Sequence, residues 1–263
     1  MEIPKIKRVV DPEDNYKPKK KIHPNLPNVQ GFGGGAVVLM ISPIKTGKST
    51  VISNLMLSND CYGQTANGEY YFDETTIISP SIGNCITSRF LREAFDVYDY
   101  YSDDIIQGII DKQKSYKKSE QPEIAILLDD CLGLLPLNSK VNALSSRARH
   151  LNIRLLLFST QKFMGSVSPV VRANATNIIV GSPFPNFREL NAIAESYGDM
   201  FGGKENFLKI YKLATPNRFD FLHLDLQENP PLAYHNFEKV IAIGDKIIND
   251  NNINDNNINE NEI

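Results

Sequence analysis

Apolar residues recur along this chain at two periods. Ala36–Ile41 is an unbroken apolar run of strand length, as expected of a strand buried on both faces. A loop over 42–48 follows, and then Val51, Ile52, Leu55 and Met56 fall at the three-to-four spacing of an amphipathic helix. The pattern repeats downstream. A β-branched strand is predicted over 75–79, stopped by Pro80. Helices are predicted over 86–98, on Phe90, Leu91, Ala94 and Phe95, and over 104–118, on Ile105, Ile106, Ile109 and Ile110. A third strand covers 124–130, a helix 138–150, a fourth strand 153–161, and a fifth 175–180, closed by Gly181-Ser-Pro183. Two more helices are predicted over 186–197 and 205–213, and 218–226 alternates as a half-buried strand.

Strands alternating with helices predict an α/β fold: a mostly parallel sheet with helices on both faces. Ligands in such sheets bind at the carboxyl ends of the strands, which here carry Ser42–Thr50, Asp129-Asp130 and Gln161. Gly31-Phe-Gly-Gly-Gly-Ala36 partly mimics a dinucleotide fingerprint. It precedes its strand, whereas that fingerprint must follow one, so it reads as a lead-in. The chain divides into an extended, proline- and charge-rich segment over 1–30, a domain over 31–243, and an acidic, asparagine-rich tail over 244–263 of the low complexity expected of disorder.

At 263 residues and 41% hydrophobic, the chain suits one large core with tails. No apolar run reaches the ~18 residues of a membrane span, and the first residues lack the apolar stretch and cleavage site of a signal peptide. Cys61, Cys85 and Cys131 are odd in number and far apart, which favours a reducing compartment, and no histidine or cysteine spacing suggests zinc. Net charge is −3 but uneven: residues 1–23 carry +3, including Lys5, Lys7, Arg8 and Lys17, and residues 244–263 carry −4. A local basic patch suffices for nucleic acid, so charge neither requires nor excludes it.

The chemistry sits on the loop after the first strand. Ser42-Pro43-Ile44-Lys45-Thr46-Gly47-Lys48-Ser49-Thr50 ends in Gly-Lys-Ser at the start of a helix. A strand, this loop and a helix form the phosphate-binding loop of nucleoside triphosphatases. Backbone N–H groups and the helix dipole favour an anion there. Lys48 would reach the β- and γ-phosphates of ATP, and Ser49 would hold Mg²⁺. The first glycine of the consensus is replaced by Ser42. At the end of the third strand, Asp129 suits the Mg²⁺ side and Asp130 suits positioning or deprotonating water. Ser159, Thr160 and Gln161 form a polar tip able to sense the γ-phosphate.

These residues resemble the genome-packaging ATPases of poxviruses, other large DNA viruses and virophages, within the FtsK/HerA superfamily. The matching stretches are Ser42 to Thr50, Ile124 to Asp130, and above all Ser146-Arg-Ala-Arg-His-Leu-Asn-Ile-Arg154 running into Ser159-Thr-Gln-Lys162 and Val170-Val-Arg-Ala-Asn-Ala-Thr-Asn177. The resemblance covers roughly residues 36–185. It implies a RecA-like P-loop core with an extra strand between the P-loop strand and the Asp-Asp strand. It also implies a homo-oligomeric ring, hexamer or pentamer, that pumps double-stranded DNA into a preformed capsid and meets capsid or portal-vertex proteins. Lys48 and Ser49 match the phosphate and Mg²⁺ positions, Asp129 the metal-side Asp, Asp130 the catalytic acid (Glu in much of the superfamily), and Gln161 the polar sensor.

The expected function is therefore ATP hydrolysis coupled to DNA translocation, in the cytoplasm of an infected host and in the virion. An arginine from a neighbouring subunit would act in trans, the candidates being Arg147, Arg149 and Arg172. Two other functions fit the same loop: a small-molecule phosphotransferase, and a non-catalytic, nucleotide-dependent assembly protein.

Overall fold

A computed structural model describes residues 18–31, 34–84, 88–135 and 139–248. Lys5, Lys7, Arg8, Lys17, Cys85 and residues 249–263 of the expected tail lie outside the described residues; of that tail, 244–248 is described, and Lys246–Ile247 pairs in the sheet rather than being disordered.

The P-loop strand is β1 (Ala36–Ile41), and α1 (Lys48–Leu57) follows its loop. Next come β2 (Glu74–Ile78), α2 (Arg89–Ala94), β3 (Asp96–Tyr98), α3 (Asp103–Ser115) and β4 (Ile124–Asp129). After them lie α4 (Lys140–Arg147), β5 (Ile153–Thr160), α5 (Pro169–Asn174), β6 (Asn177–Gly181), α6 (Phe187–Tyr197) and α7 (Lys204–Ala214). The described chain closes with β7 (Phe221–Asp225), β8 (Leu232–His235), β9 (Lys239–Ile243) and β10 (Lys246–Ile247).

The ten strands of the described residues form one sheet, in the order β10-β9-β8-β7-β6-β1-β5-β4-β2-β3. From β6 to β3 neighbours are parallel, and from β6 to β10 they are antiparallel. The fold is the α/β, mostly parallel P-loop architecture that the alternation implies, extended by an antiparallel meander. β5 lies between β1 and β4, which is the extra strand implied by the resemblance.

Strand alternation divides the core between the two faces. Val37, Leu39 and Ile41 join Ile106 of α3, Leu144 of α4, Val171 of α5, Ile193 of α6 and Ile210 of α7. Ala36, Val38 and Met40 face Ile52, Leu55 and Met56 of α1 and Leu91 of α2. Leu26 and Val29 of the proline-rich lead-in are buried in that second layer, and Tyr62 donates its hydroxyl to Pro27 O at 2.6 Å.

Two expectations are corrected. Of the helix expected over 86–98, residues 86 and 87 lie outside the described residues, 89–94 is helical, and the far end is not, because Val97 and Tyr98 pair with Ile77 and Ile78 of β2. Of the strand expected over 218–226, residues 221–225 pair in the sheet and are buried throughout rather than half-buried, since β7 is paired on both sides and α7 packs over it, while Arg218 and Phe219 ahead of it are exposed. Its alternating residue His223 is one consequence. The ring is wholly buried and stacks on Tyr234 with centroids 5.2 Å apart. Nε2 lies 3.1 Å from Asn177 Nδ2, and Nδ1 has no partner.

Burial pushes the His223 pKa down to about 3, below the ~6.5 of an unfolded chain. Between these values the unfolded state binds a proton that the folded state refuses, so the contribution is full above the unfolded value and is lost as pH falls. At ~1.4 kcal/mol per pH unit, this group should remove about 2 kcal/mol of stability between pH 7 and 5. Denaturant unfolding across that range should show the slope, and His223→Gln should remove this part of it. An equal slope in both proteins would assign the loss elsewhere.

Candidate functional site

The phosphate loop is fastened from beneath. Ser42 N donates to Thr160 O of β5 at 2.9 Å, extending the β1 ladder by one residue. Thr46 Oγ1 donates to Pro43 O at 2.6 Å, so the buried Ser42 hydroxyl donates in its own bond to Thr46 Oγ1. Ile44, Lys45 and Thr50 are exposed, and Pro43 and Ser49 are partly so. Lys45 and Gly47 take positive φ, 62° and 87°. At Gly47, the N-cap of α1, there is no side-chain cap, and the first turn of the helix carries no acid. Its leading N–H groups and positive dipole end therefore suit an added anion.

Ser42 occupies the place of the consensus glycine by borrowing space from the next strand. A Cβ on Gly181 of β6 would lie 2.1 Å from Ser42 Oγ and 2.9 Å from its Cβ. The missing side chain at 181 makes room for the hydroxymethyl group at 42.

Three strand ends converge on the carboxylates. Asp129 ends β4 opposite Ser159 of β5. Its Oδ1 accepts from Ser159 Oγ at 2.7 Å and its Oδ2 from Ser79 Oγ, just past β2, at 3.0 Å. Asp130 leaves the strand at φ 53°, with its N–H bonded to Ser159 O at 2.9 Å. Asp tolerates this left-handed region better than most residues, and the turn aims its carboxylate back at the loop. There it pairs with the Lys48 ammonium and accepts from Gln161 Nε2 at 3.2 Å. Lys48 Nζ also lies 3.6 Å from Asp129 Oδ1. One buried lysine thus faces both acids, and a phosphate would compete with them for it.

The donor set suits Mg²⁺. Among the described residues no three His, Cys, Asp or Glu side chains form a metal cage. Mg²⁺ needs none: it is commonly held by one or two carboxylates, substrate phosphates and waters. Ser49 in the first turn of α1 and Asp129, pre-oriented by two hydroxyls, are the residues that would hold it. Cys131 beside them is not a nucleophile. Burial, reinforced by Asp129 and Asp130, pushes its thiol up to about 12, and the thiolate is the reactive form.

No family model and no curated protein matches this chain. Solved structures do. The DNA-packaging ATPase B204 from Sulfolobus turreted icosahedral virus superposes with a TM-score of 0.54 at 16% identity, covering 78% of this chain and 99% of its own. The genome-packaging NTPase B204 from Sulfolobus turreted icosahedral virus 2, in complex with AMP, gives 0.52 at 19% identity over 78% and 98%. Its complex with ATPγS gives 0.50 at 16% identity over 78% and 99%. The chain has the B204 fold.

Within this B204-like fold the three arginines stand apart from Lys48, Asp129, Asp130 and Gln161. Arg147 ends α4 and Arg149 lies in the short 3₁₀ turn Ala148–Leu151 that leads into β5. Both are exposed, and both precede the amino end of a strand whose carboxyl end carries the site. Arg172 is committed within its own subunit. Its Nε and Nη2 donate to Val167 O at 3.0 and 2.8 Å, and the guanidinium lies 4.5 Å from the Phe163 ring centroid. Two contributors were not foreseen from sequence, Ser79 and Gly181. Ser79 was findable, as a polar residue at the carboxyl end of a parallel strand. Gly181 makes its contribution by having no side chain, and no sequence motif marks that.

Proposed function

We propose that this chain is an ATP-driven translocase of double-stranded DNA that packages a viral genome into a preformed capsid. The observation that carries this reading is the convergence of Lys48, Asp129, Asp130 and Gln161 on one sheet edge, with β5 inserted between β1 and β4. The B204 fold supports it. ATP seats its phosphates on residues 42–50, and the Lys48 ammonium turns from Asp130 to the β- and γ-phosphates. Asp130, relieved of its counter-ion, accepts a hydrogen bond from the attacking water and orients it in line. Ser49 and Asp129 are the residues that would hold Mg²⁺, which when bound would supply charge neutralisation on the phosphate oxygens. Gln161 donates to Asp130 and opens the segment 161–168 that follows β5, so a change at Asp130 is felt in that segment.

The working form is a homo-oligomeric ring, pentamer or hexamer, seated against capsid or portal-vertex proteins, in the cytoplasm of an infected host and in the virion. A neighbouring subunit supplies the arginine. Arg147 and Arg149 are the better placed candidates, being exposed and without an ion pair among the described residues.

The test is ATP turnover with and without long duplex DNA. Duplex DNA is expected to raise the rate several-fold, with little effect from short oligonucleotides. Turnover indifferent to DNA would favour a small-molecule phosphotransferase. Tight ATP binding without turnover would favour a non-catalytic assembly protein.

A further inference from the structure

The four residues Asn217 to Asp220 form a turn ahead of β7. Antiparallel pairing sets Phe221 opposite Gly181 at the end of β6, and β6 in turn pairs with β1 up to Ile41. The turn therefore stands on the same edge of the sheet as the phosphate loop. The two lie side by side: a Cβ on Gly47 would lie 3.5 Å from Phe219 Cδ1 and 3.8 Å from Phe219 Cβ.

The conformation of Phe219 calls for an explanation. Asp220 N donates to Asn217 O at 3.4 Å, which makes Phe219 the third residue of a β-turn, and its φ is 77°. A φ near +80° at that position belongs to a type II turn, where glycine or asparagine is the usual occupant. A bulky aromatic residue there is strained, and such strain concentrates at ligand clamps and active sites. Core packing does not account for it, since 55% of Phe219 is exposed.

The turn is also braced. Asp220 Oδ2 accepts from Asn217 N at 2.8 Å, Asp220 Oδ1 lies 3.4 Å from His235 Nε2, and the Arg218 guanidinium stands 4.9 Å from the Phe219 ring centroid. An exposed ring is thus held rigidly beside the last glycine of the loop, with a cation on it.

We propose that Phe219, backed by Arg218, is the platform on which the purine base of the bound nucleotide stacks. This rests on residues 42–50 being the triphosphate site and adds the part of the site that recognises the base. Stacking on an aromatic ring, with an arginine reinforcing it, is a general way to hold a base.

The test compares ATP with inorganic tripolyphosphate, which has the phosphates and no base, by titration calorimetry. Phe219→Gly is the main variant, because glycine removes the ring and suits the turn's φ. The ATP Kd is expected to rise roughly tenfold while the tripolyphosphate Kd holds, and Phe219→Trp should keep wild-type ATP affinity. Unchanged ATP affinity in Phe219→Gly overturns the proposal. So does an equal loss for both ligands, which would mean that the ring only props the loop. If wild-type protein binds neither ligand and Lys48→Ala changes nothing, the triphosphate site itself is refuted, and the platform with it.

Discussion

Lys48→Arg is expected to fold like the wild type and to lose ATP turnover by more than about a hundredfold, within the range for losing one correctly positioned donor to transition-state charge. Lys48 is 9% exposed and faces two carboxylates. Arginine keeps the positive charge opposite them. It replaces a compact ammonium by a planar fork, which is not equivalent where phosphate oxygens must be met as by a point charge. Lys48→Ala should be equally inactive and less stable, because it leaves Asp129 and Asp130 without their cation. Ser79, Ser159 and Gln161 still donate to those carboxylates, so the alanine variant should remain folded. Phosphate release assays and thermal melts on both variants separate the two effects. Wild-type turnover in a folded Lys48→Arg protein would remove this lysine from the chemistry.

The second large effect should fall on Asp130. Asp130→Asn should keep nucleotide affinity and lose the chemical step by roughly 10²–10⁴-fold, the usual worth of general-base assistance. The fold has no reason to fail, since asparagine is at least as content as aspartate at a φ of 53°. Asp130→Glu should retain part of the rate. Its longer arm must fit between Lys48 and Gln161 from a backbone conformation that glutamate tolerates less well. Asp129→Ala should instead weaken metal-dependent ATP binding and turnover together. Single-turnover kinetics beside equilibrium ATP binding distinguish these patterns. A wild-type rate in Asp130→Asn would show that Asp130 only anchors Lys48.

The parts of this chain that were readable from sequence are the local ones. Ala36–Ile41 has no polar residue to compromise it, and Gly47-Lys48-Ser49 follows within one loop. Asp129 and Asp130 end a run too apolar to be anything but a buried strand. The meander was not readable. Leu232–His235 and Lys239–Ile243 are short and sit among prolines and asparagines, and they become strands because β7 offers an edge. Val97 was drawn into a helical reading by Phe90, Leu91, Ala94 and Phe95, and only β2 beside it decides otherwise. In the site, Lys48 and Asp130 are 82 positions apart, yet family likeness could bring them together. The approach of Phe219 to Gly47 bridges still more chain and has no motif at all.

The exchange between Ser42 and Gly181 has a consequence for how this loop can vary. The small residue that a phosphate loop needs at its entrance has not been lost; it has moved to an adjoining strand, far along the chain. Bulk at 42 and emptiness at 181 are two halves of a single fit. Glycine at 42 alone would open a hole under the loop, and a side chain at 181 alone would drive into the serine. The two positions are therefore free to change only in concert, and a search keyed to the loop's own consensus sees just one of them.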